Sequence, residues 1–199
     1  MSDLVARTGR LQQRYEGGCR LVAGCIPFKY RSSDESSSAK SEKIVEVLMI
    51  NSTRGPGLVF PKGGWENDET VEAAAVREAI EEAGVRGDIM LLRAEISVPQ
   101  LYLVINAMQF LGYYNFKSKS HRDKFSPEGS CKAAMFALLV NEELESWPEQ
   151  STRSRSWLTI PEAVKRCRHL WMREALEEGF CKWHDRPIAS PSSSSLDRH

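Results

Sequence analysis

Residues 63–85, GGWENDETVEAAAVREAIEEAGV, place Glu78, Glu81 and Glu82 within one turn of the helix that their second half predicts. Carboxylates at i, i+3 and i+4 repel by about 0.2–0.5 kcal/mol per pair. They also sit near a helix C-terminus, where negative charge is disfavoured. Something positive is therefore expected beside them. The polar Glu66-Asn67-Asp68 supplies an N-cap, the helix runs from about Glu69 to Ala83, and Gly84 suits a left-handed cap. At about 100° per residue, Val76, Ile80 and Ala83, with Ala73 nearby, form an apolar stripe expected to face the core. Val71, Ala74 and Ala75 form a small-residue stripe on the other side, which allows close approach and runs into the three glutamates. Arg77 is placed to orient the acids without covering them. Glu69 either serves the helix N-terminus or pairs with Arg77, and both readings stay open.

Working outward, residues 20–29 (RLVAGCIPFK) and 44–50 (IVEVLMI) read as strands, joined by the serine-rich 32–42 as a hairpin-type loop. Leu58 to Phe60 approach the glycines through Pro61 and Lys62. Downstream, 133–140 (AAMFALLV) reads as a buried strand, 156–160 as a short edge strand, Pro161 as the first turn of a helix, and 170–183 as a final helix. Strands and helices mixed in this order predict an α/β layered domain.

At 199 residues the chain suits one domain able to bury a real core. Lys+Arg and Asp+Glu both total 27, so no global excess suggests nucleic-acid binding, and any anion-binding surface must be local. The five cysteines lack metal or disulfide spacing and are expected to be reduced and mostly buried in an intracellular protein. No apolar run reaches membrane-spanning length, and a soluble protein is expected. Arg7, Arg10 and Arg14 give the N-terminus a weak transit-peptide character. The expected organisation is an arm over 1–17, a domain over 18–188 and a disordered polar tail over 189–199.

Three adjacent carboxylates with no intervening lysine are hard oxygen ligands suited to Mg²⁺ or Mn²⁺, ions that commonly bridge to phosphate oxygens. The segment resembles the Nudix box: Gly, five residues, Glu, seven residues, then Arg-Glu-apolar-x-Glu-Glu-x-Gly-apolar. It is met by Gly63, Glu69, Arg77, Glu78, Ala79, Glu81, Glu82, Gly84 and Val85. The resemblance implies the Nudix fold, an α/β/α sandwich with a mixed β-sheet and a loop-helix-loop catalytic motif. It also implies hydrolysis of a phosphorus-containing acid anhydride by attack of water. Glu78, Glu81 and Glu82 become metal ligands with the Gly63 or Gly64 carbonyl, Arg77 joins the catalytic set, and Glu69 and Gly84 are structural members of the motif.

Over residues 14–183 the chain is similar to the diphosphoinositol polyphosphate phosphohydrolase branch and, more closely, to a group of plant Nudix hydrolases. The similarity is carried by RYEGG at 14–18, Arg20 with AGCI at 23–26, FPKGG at 60–64, NEELESWP at 141–148 and SRSWL at 154–158. The branch implies diadenosine polyphosphates or diphosphoinositol polyphosphates as substrates, which demand many cations. Candidates are Arg20, Lys62, Gly63, Gly64, Lys117, Lys119 and Arg155, with Arg14, Arg122, Lys132 and Arg153 behind them. None of the four histidines is expected to bind metal. Relatives pass sooner from the box to a Leu-Gly-aromatic strand, here Leu111-Gly112-Tyr113, so 91–109 reads as an insertion. Tyr102 and Pro99, at distances that mark diadenosine tetraphosphate and ADP-ribose hydrolases, fall inside it and carry little weight. The alternatives are an ADP-ribose or NADH-type hydrolase and a non-catalytic module binding a phosphorylated ligand. The expected partner is a small pyrophosphate, with no nucleic acid and no membrane. The plant resemblance points to mitochondria, with the cytoplasm as the alternative.

Overall fold

The computed structural model describes residues 5–7, 12–32, 43–89, 91–98, 101–118 and 124–185. β1 (Tyr15–Glu16) leads into the long β2 (Cys19–Ser32), followed by β3 (Lys43–Asn51), β4 (Leu58–Val59) and β5 (Lys62–Gly64). Next come α1 (Val71–Ala83), β6 (Val85–Ile89), β7 (Leu91–Val98), β8 (Leu101–Met108), β9 (Phe110–Lys117), β10 (Ser130–Glu143) and β11 (Arg155–Thr159). The chain closes with α2 (Ile160–Arg166), α3 (Leu170–Glu174), a π-helical turn at Ala175–Cys181 and α4 (Lys182–His184).

Among the described residues nine strands form one mixed sheet with the central order β11-β3-β2-β10-β6. β2 and β10 run parallel, from Cys131 opposite Arg20 to Leu139 opposite Phe28, and the other pairs are antiparallel. β11 lies at the edge, as its short alternating sequence predicts. The central strands are long apolar runs because both their faces are covered. Side chains alternate faces along a strand. Phe28 meets Phe180 and Trp183 edge-on, whereas Cys25, an odd number of residues away, lies in the field of Glu78 and Glu82 on α1. The C-terminal helices and α1 therefore cover opposite faces, which is the expected α/β/α layering.

The boundaries of α1 need one adjustment and its faces need exchanging. The N-cap is Thr70, whose hydroxyl accepts from the Ala73 N–H at 3.1 Å, so Glu66-Asn67-Asp68 and Glu69 all lie before the helix. Gly84 ends it at φ 60°, as expected. The buried stripe is Ala74, Ala75, Ala79 and Ala83, together with all three glutamates. Val76 and Ile80 are only half-buried and Ala73 is exposed. Alanines let the helix lie close to β2, whose face shared with Cys25 presents the small Ala23, and the larger aliphatics are pushed to the flank.

Segment 91–109 contains two strands. β7 and β8 form their own antiparallel sheet, from Leu91 opposite Met108 to Val98 opposite Leu101. β6 and β9 both pair with β10: Ile89 faces Leu138, Phe110 faces Phe136, and the Ala137 N–H between them donates to the Gln109 carbonyl at 3.2 Å. The hairpin thus leaves and re-enters a single line of pairing along β10. Ser32 and Lys43 pair across β2 and β3, as a hairpin requires, while the loop 33–42 and the tail 189–199 fall outside the described residues. No disulfide joins the five cysteines; Cys25 and Cys131 are buried, but Cys19, Cys167 and Cys181 are only half-buried, fewer than expected.

Candidate active site

β5 brings the two glycines under α1 by pairing with β2, Gly63 opposite Ala23 and Gly64 opposite Val22. A methyl group on Gly63 would overlap the Glu78 carboxylate, so this acid rests directly on the glycine backbone. Four residues on, Glu82 accepts the Lys62 N–H at 2.8 Å on one oxygen and an Arg153 guanidinium N–H at 2.5 Å on the other. Glu78 and Glu82 both line a cavity of about 660 Å³; Glu81 does not line it. Instead Glu81 accepts the backbone N–H of Arg7 at 3.2 Å and an Arg77 N–H at 3.3 Å.

Arg77 is the hub of this arrangement. Its Nε and Nη2 donate to the two oxygens of Glu69 at 3.0 and 2.8 Å, Nη2 also to the Gly64 carbonyl at 2.8 Å, and Nη1 to Glu78 at 2.7 Å. Burial alone would weaken its charge, but the hydrogen bonds it donates to Glu69 and the charge of Glu78 outweigh that and hold it firmly protonated. Arg77 does not line the cavity; its contacts are to the acids and to the Gly64 carbonyl. Of the two readings of Glu69, the Arg77 pair is the one realised.

Burial pushes Glu78 well above the usual carboxylate range, and the charge of Glu82 pushes it further, against the opposing pull of Arg77. Burial likewise raises Glu82, with Lys62 and Arg153 opposing. Two buried, mutually repelling carboxylates beside a glycine backbone suit a hard divalent cation, which would relieve both effects. Among the described residues no three carboxylate, imidazole or thiol groups already converge as a cage, because Glu81 is turned toward Arg7 and Arg77. The donor set fits the cation, with Glu78 and Glu82 as the pair on the cavity wall.

The remaining wall is strongly basic: Arg20, Arg54, Lys62, Lys117, Arg153 and Arg168 stand against three acids, Glu78, Glu82 and Glu174. Sequence reading anticipated Arg20, Lys62, Lys117 and Arg153 but missed Arg54 and Arg168. Arg168 donates to the carbonyls of Pro56 and Arg54 at 2.6 and 2.9 Å, fixing the turn that carries Arg54. The signal was the Gly-Pro-Gly turn after Arg54, which a long side chain could clasp. His169 also lines the wall; burial, then the charges of Arg168 and Lys62, lower its pKa and favour the neutral ring.

Other expected binders are used elsewhere. Arg155 donates to the Gly84 carbonyl at 3.0 Å and lies 4.1 Å over the Trp147 ring, clamping the end of α1 away from the cavity wall. Gly64 is taken up by Arg77 through its carbonyl and is not on the wall. Arg14 donates to the carbonyls of Glu66, Asn67 and Glu69, and Lys132 pairs with Glu16 at 3.2 Å. Lys117 reaches the wall while pairing with Glu128 at 2.7 Å. Lys119, Arg122 and Pro99 fall outside the described residues.

A NUDIX domain family model matches residues 39–179, a span that contains this whole helix and its glycine approach. The chain belongs to the Nudix family. It is 64% identical to Nudix hydrolase 16, mitochondrial, of Arabidopsis thaliana over 184 residues, 92% of each chain. It is 31% identical to diphosphoinositol polyphosphate phosphohydrolase 2 of Mus musculus over 151 residues, 74% of this chain and 63% of that protein. In three dimensions it is similar to a C. elegans Ap4A hydrolase, with a TM-score of 0.52 at 18% identity over 82% of this chain and 96% of that one. This last likeness is one of fold. As a Nudix hydrolase, the protein is a pyrophosphohydrolase of a family that generally needs divalent cations.

Proposed function

We propose that this Nudix hydrolase cleaves a diphosphate linkage in a highly anionic polyphosphate, a diadenosine polyphosphate or a diphosphoinositol polyphosphate, with Mg²⁺ or Mn²⁺. The observation that carries the reading is the cavity wall itself: six basic side chains surround two buried carboxylates that rest on or beside Gly63. A wall with that surplus suits a ligand with several phosphates better than ADP-ribose or NADH, each of which has only a diphosphate to neutralise.

Glu78 and Glu82, with the backbone at Gly63, would hold the cation. Glu81, the third glutamate of the motif, lies off the cavity wall, bonded to Arg7 and Arg77. A bound divalent cation supplies neutralisation of phosphate charge and a more acidic water. Arg20, Lys62, Arg54 and Arg168 bind and orient the phosphates, so that little beyond positioning and charge is asked of the protein as water attacks phosphorus in line. One of the three glutamates accepts the proton of that water.

A mitochondrial site of action, the compartment in the name of the Arabidopsis relative, is part of the proposal, with the cytoplasm as the alternative. The test is a panel of diphosphoinositol polyphosphates, diadenosine polyphosphates, ADP-ribose and NADH with Mg²⁺ or Mn²⁺. Turnover concentrated on the first two classes is expected. Preference for ADP-ribose or NADH contradicts the substrate reading, and binding without turnover of any compound favours the non-catalytic module.

A further inference from the structure

The cavity wall has two unlike sides. Its basic residues come from strands, turns and links, whereas α3 contributes Leu170, Trp171 and Glu174 and no cation. Arg173, the basic residue of α3, is not on the wall and pairs with Glu177 at 3.1 Å. Leu170 is 80% exposed and Trp171 is buried. Phe116 of β9 joins them, its ring stacked on that of Trp171 with centroids 4.8 Å apart and planes 9° from parallel. Glu174 stands at i+3 from Trp171 and i+4 from Leu170, so the three share one side of the helix. The other two acids of the wall are bonded to Arg77, or to Lys62 and Arg153. Among the described residues the exposed Glu174 carboxylate makes no hydrogen bond and no ion pair, although six cations line the same cavity.

From this geometry we infer that Glu174 is a specificity-determining residue that reserves the α3 side of the cavity for a nucleoside, so that of the two proposed substrate classes the diadenosine polyphosphates fit this chain. The inference rests on the proposed polyphosphate site. A phosphate brought against α3 meets an unpaired negative charge and an apolar surface without a cation, a like-charge contact that discriminates against it. A nucleoside meets the reverse. Its base lies against apolar and aromatic side chains, and its hydroxyl or amino groups donate to a carboxylate that still has free acceptor sites. The charge of a diadenosine polyphosphate is confined to its phosphate chain, which the basic side can take while an adenosine occupies the α3 side. A fully phosphorylated diphosphoinositol ring carries phosphate at every carbon, and any orientation that fills the cavity turns one of them toward Glu174.

The test uses the full chain with Ap4A and a diphosphoinositol pentakisphosphate as probes, by calorimetric binding with metal chelated and by kcat/KM with Mg²⁺. The native protein is expected to favour Ap4A in both. Glu174→Lys is expected to shift that preference toward the inositol compound by about 10-fold, because it replaces a like charge by an opposite one. Glu174→Gln, which keeps an acceptor, is expected to shift it less. Leu170→Ser, at an exposed position, is expected to weaken Ap4A and spare the inositol compound. An unchanged preference in a folded Glu174→Lys protein overturns the inference, as does a native protein that favours the inositol compound. Selective binding of Ap4A without turnover of either probe contradicts the hydrolase reading and supports the role of Glu174. Turnover of both probes with no shift in Glu174→Lys does the opposite.

Discussion

Arg77 binds four groups with one guanidinium, and its side chain is only 15% exposed beside a Glu69 that is 7% exposed. Removing it strands buried carboxylates, so Arg77→Ala is expected to cost about 3–5 kcal/mol of stability, read by denaturant unfolding. Arg77→Lys is not expected to restore function, because an ammonium lacks the planar fork that spans both oxygens of Glu69 and the Gly64 carbonyl. Gly63 makes a different demand. Its backbone needs no unusual conformation, but the space above its Cα is filled by the Glu78 carboxylate. Gly63→Ala should displace that acid and lower turnover about 100-fold, the scale set by a misplacement of about 1 Å. Mn²⁺ affinity is expected to fall with it. A Gly63→Ala protein with normal Mn²⁺ affinity would show that Glu78 is not pressed against this backbone.

At the scale of elements, the helix, its left-handed cap and the meeting of Glu78 and Glu82 with Gly63 were legible because each rests on local spacing. The face that α1 buries was not. Amphipathic patterning assumes that charge faces water, whereas here the acids share the buried side with four alanines and the bulkier Val76 and Ile80 sit at its flank. Arg155 shows the same limit, since nothing local reveals that a strand-edge arginine will stack on Trp147 and cap Gly84. The segment after α1 was legible as extra but not as a hairpin. Its pairing predicts an outcome: deleting residues 90–108 joins Ile89 to Gln109, which already stand in register opposite Leu138 and Ala137. The product is expected to fold with β6 and β9 as one continuous strand and to keep its metal-dependent turnover. A shortened chain that aggregates or loses its cooperative thermal transition would make β7 and β8 structural necessities.

Across the whole molecule, Lys+Arg and Asp+Glu balance at 27 each, yet the cavity wall gathers six basic residues from β2, β5, β9, the turn after β3, the segment before β11 and the link between α2 and α3. A neutral chain can thus build a strongly cationic site, and composition alone could not reveal it. Arg54 and Arg168 are 114 residues apart and meet only because the fold closes over the turn between them. Buried side by side, Glu78 and Glu82 are the proposed holders of the divalent cation on which diphosphate cleavage depends. The decisive experiment follows turnover of a diphosphoinositol polyphosphate or Ap4A, with and without Mg²⁺, by the native protein and by Glu82→Gln. Turnover that requires the cation and falls at least about 100-fold in a folded Glu82→Gln protein is the predicted result. Turnover that survives chelation, or that Glu82→Gln leaves unchanged, would contradict it.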